Sequence, residues 1–270
     1  MRTQASTTSK HCVVIPSYNS GRLLQPTVDS VLSLGLRVFL VTDGSTDGSD
    51  AFLNAPQYQS HPLLHVIRFA ENQGKGAAAI AGMQTALEHD FTHAVLFDSD
   101  GQHAVSDIPE MIRISNEHPD RMVLGKPIFG DDAPLERVYA RRIANWFANL
   151  SARHTFIADS LFGFRVYPIG HALECLRETT HGRAFDFETQ IAVRLAWRGV
   201  AAINFPTRVT YPARDIGGVS HFDYVRDNLL LIRSHAGLLF ESFVSPRTLR
   251  GLQCPAAGTA SRQQPPCPAQ

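Results

Sequence analysis

Val95-Leu96-Phe97-Asp98-Ser99-Asp100-Gly101-Gln102-His103 is the stretch around which the rest of the chain is organised. Ala94 to Phe97 is an unbroken apolar run, the pattern of a strand buried on both faces. The run ends in two carboxylates, Asp98 and Asp100, then a glycine and two more polar side chains. Open α/β sheets bind ligands at the carboxyl ends of their strands. Hard oxygen donors at that place fit a Mg²⁺ or Mn²⁺ ion carrying substrate phosphates. Asp-x-Asp is short, and an acidic turn that merely closes a strand is its plain alternative.

The residues before this stretch repeat one unit. Residues 12–15 form a short apolar strand that Pro16 is expected to break, followed by a polar turn, Ser17-Tyr18-Asn19-Ser20-Gly21. Leu23, Leu24, Val28, Val31 and Leu32 recur at helical spacing. A second strand, 36–41, runs into Thr42-Asp43-Gly44-Ser45-Thr46-Asp47-Gly48-Ser49, rich in turn formers. A third strand spans 64–69, and Asn72-Gln73-Gly74-Lys75-Gly76 leads into an alanine-rich helix over 77–87. The fourth strand, 92–97, carries the acidic pair. Strand, turn and helix in alternation predict an α/β fold, a Rossmann-like, mostly parallel sheet flanked by helices. Right-handed crossovers bring Asp43 and Asp98 to one rim of it.

Beyond the acidic pair the expectations are a helix over 108–117, a strand over 121–125 and a long helix over 135–150. That helix mixes Val138, Ile143, Trp146, Phe147 and Leu150 with Arg137, Arg141 and Arg142, so it suits a membrane interface or a core with a solvated arginine face. Residues 158–165 form a loop entering a short strand. Helices follow over 169–176 and 185–196, the second with Asp186 and Glu188 in its first turn, where acids are favoured. A strand spans 200–205. Arg214-Asp215-Ile216-Gly217-Gly218-Val219-Ser220-His221 is a polar loop. The apolar helix over 224–243 is a candidate for docking to a membrane, another domain or a second copy of the chain. One domain over 11–250 is expected, with a flexible leader at 1–10 and a disordered tail at 251–270.

Composition narrows the function. The formal net charge is +0 over 270 residues, which argues against a dominant nucleic-acid footprint. Cys12, Cys175, Cys254 and Cys267 form no CxxC pair, so neither a disulfide framework nor a structural zinc site is expected. The first ten residues lack the apolar core of a signal peptide. No stretch reaches the ~20 apolar residues that a bilayer requires. A cytoplasmic protein follows, at most peripheral on the inner face of a membrane. No Ser or Thr follows Lys75, so its loop is not a Walker A motif, and no Gly-x-Gly-x-x-Gly follows the first strand.

Five motifs, in order, resemble those of family 2 glycosyltransferases with the GT-A fold: Val14-Ile15-Pro16-Ser17-Tyr18-Asn19, Val41-Thr42-Asp43-Gly44-Ser45-Thr46-Asp47-Gly48, Asn72-x-Gly74-Lys75-Gly76-x-Ala78, Asp98-Ser99-Asp100-Gly101-Gln102-His103 and Asp159-x-x-x-Gly163-Phe164-Arg165. A sixth, Gly218-Val219-Ser220-His221, is similar to a family loop that ends in Lys. The likeness is greatest to the dolichyl- or polyprenyl-phosphate mannose or glucose synthase branch. It implies an inverting, metal-dependent transfer of mannose or glucose from GDP-mannose or UDP-glucose to a polyprenyl or dolichyl phosphate. A different lipid-linked or small hydroxyl acceptor is the alternative within the class, and a non-catalytic nucleotide-sugar-binding scaffold the alternative outside it.

By this resemblance Pro16, Tyr18, Asn19 and Asp43 line the nucleotide site, and Asp98, Asp100 and Gln102 hold Mg²⁺ or Mn²⁺. Lys75, Arg165, Arg214 and His221 are the cations that grip phosphate. Asp159 and Glu188 are the candidate general bases if the acceptor is a hydroxyl; a lipid phosphate already carries an oxyanion and needs none. The family often has Glu where this chain has Ser20. Each residue keeps a plainer reading: Asp43 as a turn former, Lys75 as part of a tight turn, Asp159 and Glu188 as loop and helix-start acids, and His103 as a hydrogen-bonded neighbour of the site.

Overall fold

β1 (His11–Ser17) pairs in parallel with β2 (Val38–Asp43) on one side and β4 (His93–Leu96) on the other. The computed structural model describes residues 9–129, 135–179, 181–182, 184, 186–210 and 224–244. Within them β3 (Leu64–Phe69), β5 (Met122–Ile128), β6 (Arg165–Pro168) and β7 (Ala202–Arg208) complete a seven-stranded sheet in the order β3-β2-β1-β4-β6-β5-β7. β6 runs antiparallel to both of its neighbours; the other pairs are parallel. The expected fold is the observed one.

Every residue of β2 is buried. That follows from two hydrophobic cores, one on each face, which adjacent strand residues feed alternately. Val14, Phe39 and Leu96 point into one core, with α3 (Lys75–Glu88), α6 (Ile169–Arg177) and α7 (Phe187–Trp197). Val13, Leu40 and Val95 point into the other, with α1 (Leu24–Leu32) and α4 (Ile108–Glu117). The short α2 (Pro56–Gln59) sits before β3. α5 (Leu135–Ala152) and α8 (Tyr224–Val244) pack on each other, and both reach α7.

Pro16 does not break β1, contrary to expectation; the strand runs on to Ser17, with Pro16 opposite Val41. The register explains it. Val13 donates its N–H toward β2, whereas the Val14 carbonyl accepts from Phe97 on the β4 side. Pro16, two residues on, therefore turns its missing N–H toward β4, whose last partner of β1 is Leu96. No ladder bond is lost there.

α3 is small-sided because it lies close to the sheet. A Cβ on Gly82 would stand 2.4 Å from Cγ1 of Val14. Residues 1–8 of the leader, the tail, Arg214 and His221 fall outside the described residues, whereas Lys10 is described and its N–H donates to Thr92 Oγ1 at 2.9 Å. Among those described, no helix is long and apolar enough to cross a membrane.

Candidate active site

The loops after β1, β2 and β4 meet at the carboxyl end of the sheet. Their contacts are mostly side chain to backbone, as expected where loops must be fixed without regular pairing. Asn19, at φ +46°, accepts from the backbone N–H groups of Thr46 (2.8 Å) and Asp47 (3.3 Å) through Oδ1, clamping the β1 loop to the β2 loop. Asp47 Oδ2 accepts from Gly21 N–H at 3.0 Å. Ser20 Oγ lies 3.0 Å from Ser17 Oγ and 2.6 Å from Ser99 Oγ, so a buried hydroxyl chain joins β1 to the acidic turn. This chain occupies the place where the family often carries Glu.

Asp43 is 2 % exposed. Its two carboxylate oxygens accept from the N–H groups of Gln73 (2.7 Å) and Gly74 (2.9 Å). The carboxylate thus fixes the loop that presents Lys75, and the turn-forming reading describes what it does here. Gly44, at φ +65°, passes so close to Glu71 that a Cβ would lie 2.5 Å from its carbonyl carbon.

Lys75 opens α3. Its ammonium lies 2.7 Å from Asp98 Oδ1 and 2.5 Å from Glu188 Oε1. It is therefore no free surface cation but the bridge between the acidic turn of β4 and the start of α7. Burial alone would lower the Lys75 pKa, but Asp98 and Glu188 outweigh it and raise it. Asp98 shows the converse: burial favours its neutral form, and Lys75 with His103 overrides that and holds the carboxyl well below its ordinary range. His103 Nε2 approaches Asp98 Oδ2 to 3.1 Å, without an aligned hydrogen bond at either ring nitrogen. Its ring is held among Phe97, Phe162 and Phe164, with centroids 5.4, 4.6 and 5.5 Å away.

Asp100 has a different environment. Its Oδ1 accepts from Gln102 N–H at 3.0 Å. Burial first, and the Asp98 charge second, push its carboxyl pKa up. A negative pair left partly uncompensated is what a divalent cation relieves. Among the described residues no cluster of three or more His, Cys, Asp or Glu is arranged to hold a metal. Mg²⁺ is commonly held by one or two carboxylates together with substrate phosphates. The oxygen donors of Asp98, Asp100 and Gln102 fit that mode.

The Asp159-x-x-x-Gly163-Phe164-Arg165 motif supports the site from beneath. Gly163 lies so near Asp98 that a Cβ would stand 2.3 Å from its Oδ2. Phe164 is buried edge-on to Phe97, with centroids 5.1 Å apart. Arg165 corrects the expectation of a phosphate-gripping cation. It is 0 % exposed and donates to the carbonyls of Phe162 (2.5 Å), Asp159 (3.1 Å) and Glu188 (2.6 Å) and to the Tyr167 hydroxyl (2.8 Å). Here its guanidinium is engaged within the protein, and it ties the loop to α7.

Asp159 is held as well. Both of its oxygens accept from Arg141 at 2.8 Å, and Oδ1 also accepts from Leu161 N–H. Arg141 was legible only as one arginine of a mixed helix; its pairing needs the chain to fold back along α5. The same fold-back sets Asn145 against Ala158 and Ser160. Thus the structure brings Asp98, Asp100, Lys75 and Glu188 together, places Asp43, Asn19 and Pro16 as loop and strand supports, and sets Asp159 and Arg165 behind the site.

The glycosyl transferase family 2 model matches residues 12–172. A polyprenol monophosphomannose synthase from Mycolicibacterium smegmatis is 23% identical over 78% of this chain and 80% of its own length. An undecaprenyl-phosphate mannosyltransferase from Micrococcus luteus is also 23% identical, over 76% of this chain and 84% of its own. Among solved structures, glucosyl-3-phosphoglycerate synthase from Mycobacterium tuberculosis, in complex with Mn²⁺, UDP-glucose and phosphoglyceric acid, superposes with a TM-score of 0.60. It is 14% identical and covers 87% of this chain and 80% of its own. At that identity the likeness bears on the fold, which is GT-A.

Proposed function

The chain belongs to glycosyl transferase family 2, and from that premise we propose that it moves mannose or glucose from a nucleoside-diphosphate sugar to a polyprenyl or dolichyl phosphate. The observation that carries this reading is the acidic pair at the carboxyl end of β4 with the Lys75 ammonium on Asp98. The chemical difficulty of the reaction is a diphosphate leaving group with growing negative charge. Asp98, Asp100 and Gln102 would hold Mg²⁺ or Mn²⁺, which when bound supplies charge neutralisation to that group. Lys75 keeps Asp98 ionised and aimed, and ties it to Glu188. Tyr18 and the β1 and β2 loops, braced by Asn19 and Asp43, offer the wall for the nucleotide. Arg214 and His221 remain the candidates for an outer phosphate grip.

The acceptor class follows from the two carboxylates considered as general bases. Asp159 is paired with Arg141, and Glu188 with Lys75. Each carboxylate is thus already turned to a cation of the protein rather than presented to an acceptor hydroxyl. An acceptor that arrives as an oxyanion needs no base, which favours a lipid phosphate over a hydroxyl. The polyprenyl-phosphate activities in the names of the sequence relatives point the same way.

The test is a panel of GDP-mannose, UDP-glucose and related donors, with Mn²⁺ or Mg²⁺, with and without a polyprenyl phosphate. Glycolipid formation that needs the lipid phosphate is the expected result and identifies the donor. Nucleoside diphosphate release that ignores the lipid phosphate and rises with a hydroxyl acceptor would overturn the acceptor assignment. Donor binding with no turnover on any acceptor would mark a scaffold.

A further inference from the structure

Where their side chains are described, α5 and α8 turn most of their large apolar side chains outward, the reverse of a water-facing helix pair. On α5, Ile143, Trp146 and Leu150 are exposed, at helical spacing. On α8, Ile232, Phe240 and Phe243 form a matching stripe. The inner faces, by contrast, carry Ala144, Ala148, Ser151 and Ala152 on α5 and Ser234, His235 and Ser242 on α8, with Leu238 the one large apolar side chain buried there among the described residues. Trp146 is 61% exposed and Phe243 71%.

The two stripes are neighbours. Phe147 meets the His235 ring at 5.9 Å, and the Arg153 guanidinium lies 4.6 Å over the Phe243 ring. These contacts advance in the same direction along both helices, so the helices run side by side and end together. The charge beside them has one sign. Arg153 and Arg233 are exposed. Within residues 141–153 and 230–244 the single acid is Glu241, which is paired with Arg194 on α7 at 2.8 Å.

We infer that the α5–α8 face is a docking surface for an anionic lipid membrane. Aromatic and aliphatic side chains there enter the headgroup boundary while arginines meet lipid phosphates. A second copy of the chain fits less well, since a symmetric contact would set this basic patch against itself, and within residues 141–153 and 230–244 no unpaired carboxylate answers it. The inference stands on this surface and is independent of which acceptor the catalytic site takes.

The experiment is flotation of the full chain with vesicles of phosphatidylcholine alone or mixed with phosphatidylglycerol, with no sugar nucleotide present. The expected result is binding to the mixed vesicles, weakened by salt, with a blue shift of Trp146 emission. The other tryptophan, Trp197, is buried and donates to the Ser151 carbonyl. The double variant Phe240→Glu, Phe243→Glu should retain its melting temperature and lose vesicle binding by about tenfold or more. Absence of binding to anionic vesicles overturns the inference, as does equal binding by the double variant. A dimer that this variant dissociates, with no vesicle binding by the parent, assigns the face to self-association instead. None of these readouts uses catalysis, so failure here leaves the glycosyltransferase reading intact.

Discussion

Arg165 shows how far a residue's chemistry depends on where the chain buries it. In sequence it is a cation in a motif of a phosphate-handling family; in the structure its donors serve three main-chain carbonyls and a buried hydroxyl. Arg165→Met leaves those acceptors unsatisfied and should cost about 3 kcal/mol or more in stability. Thermal unfolding measures it; a variant with an unchanged melting temperature and weakened phosphate binding would restore the original assignment. Gly163 makes the opposite prediction. Its missing Cβ is room for the Asp98 carboxylate, so Gly163→Ala should reduce turnover at least about tenfold, the cost of a small misplacement at a reacting centre. Retention of full activity would show that the acidic turn tolerates displacement. Asp98 and Asp100 were legible from their position after an apolar strand. The bridging role of Lys75 was not, because Glu188 lies more than a hundred residues away and only the packing of α3 against α7 brings it near.

At the level of elements, the strands and helices were legible because periodicity and turn residues agree along most of the chain. β3 (Leu64–Phe69) stands at the expected positions, and α6 and α8 end within a residue or two of theirs. β1 outran its expected end because strand pairing, rather than proline alone, decides where a strand stops. The antiparallel seat of β6 between β4 and β5 has no local signal; it follows from the long return of the chain along α5. α3 carries a testable consequence of its closeness to β1. Gly82→Ala should raise helix propensity yet destabilise the fold by about 1–3 kcal/mol, since overpacking against Val14 wins. Denaturant titration reads the sign directly, and a stabilised variant would mean that the α3–β1 contact can relax.

For the whole molecule, pH is informative. Burial, then the neighbouring His93, lowers the His11 pKa to about 4. His93 and His235 are also lowered, chiefly by burial. The unfolded chain then binds protons near pH 6.5 that the folded chain refuses, so stability is full above that pH and falls as the solution is acidified. For His11 the fall continues to about pH 4. By pH 5 it amounts to at most about 2 kcal/mol for such a histidine, and melting temperatures at pH 7.5 and pH 5 should differ by several degrees. His11→Gln should flatten that dependence; an unchanged slope would assign the acid sensitivity to other groups.

The central claim is that Asp98 and Asp100 form the donor site of a sugar transfer to a lipid phosphate. Its most direct measurement is lipid-phosphate-dependent release of nucleoside diphosphate, in Mn²⁺ or Mg²⁺, by the parent chain and by Asp100→Asn at equal folded concentration. The account predicts release by the parent and a loss of about a thousandfold in the variant, the scale of removing one charge-stabilising group, with the melting temperature retained. Full activity in Asp100→Asn, or no release by the parent from any sugar nucleotide in the presence of lipid phosphate, would contradict it.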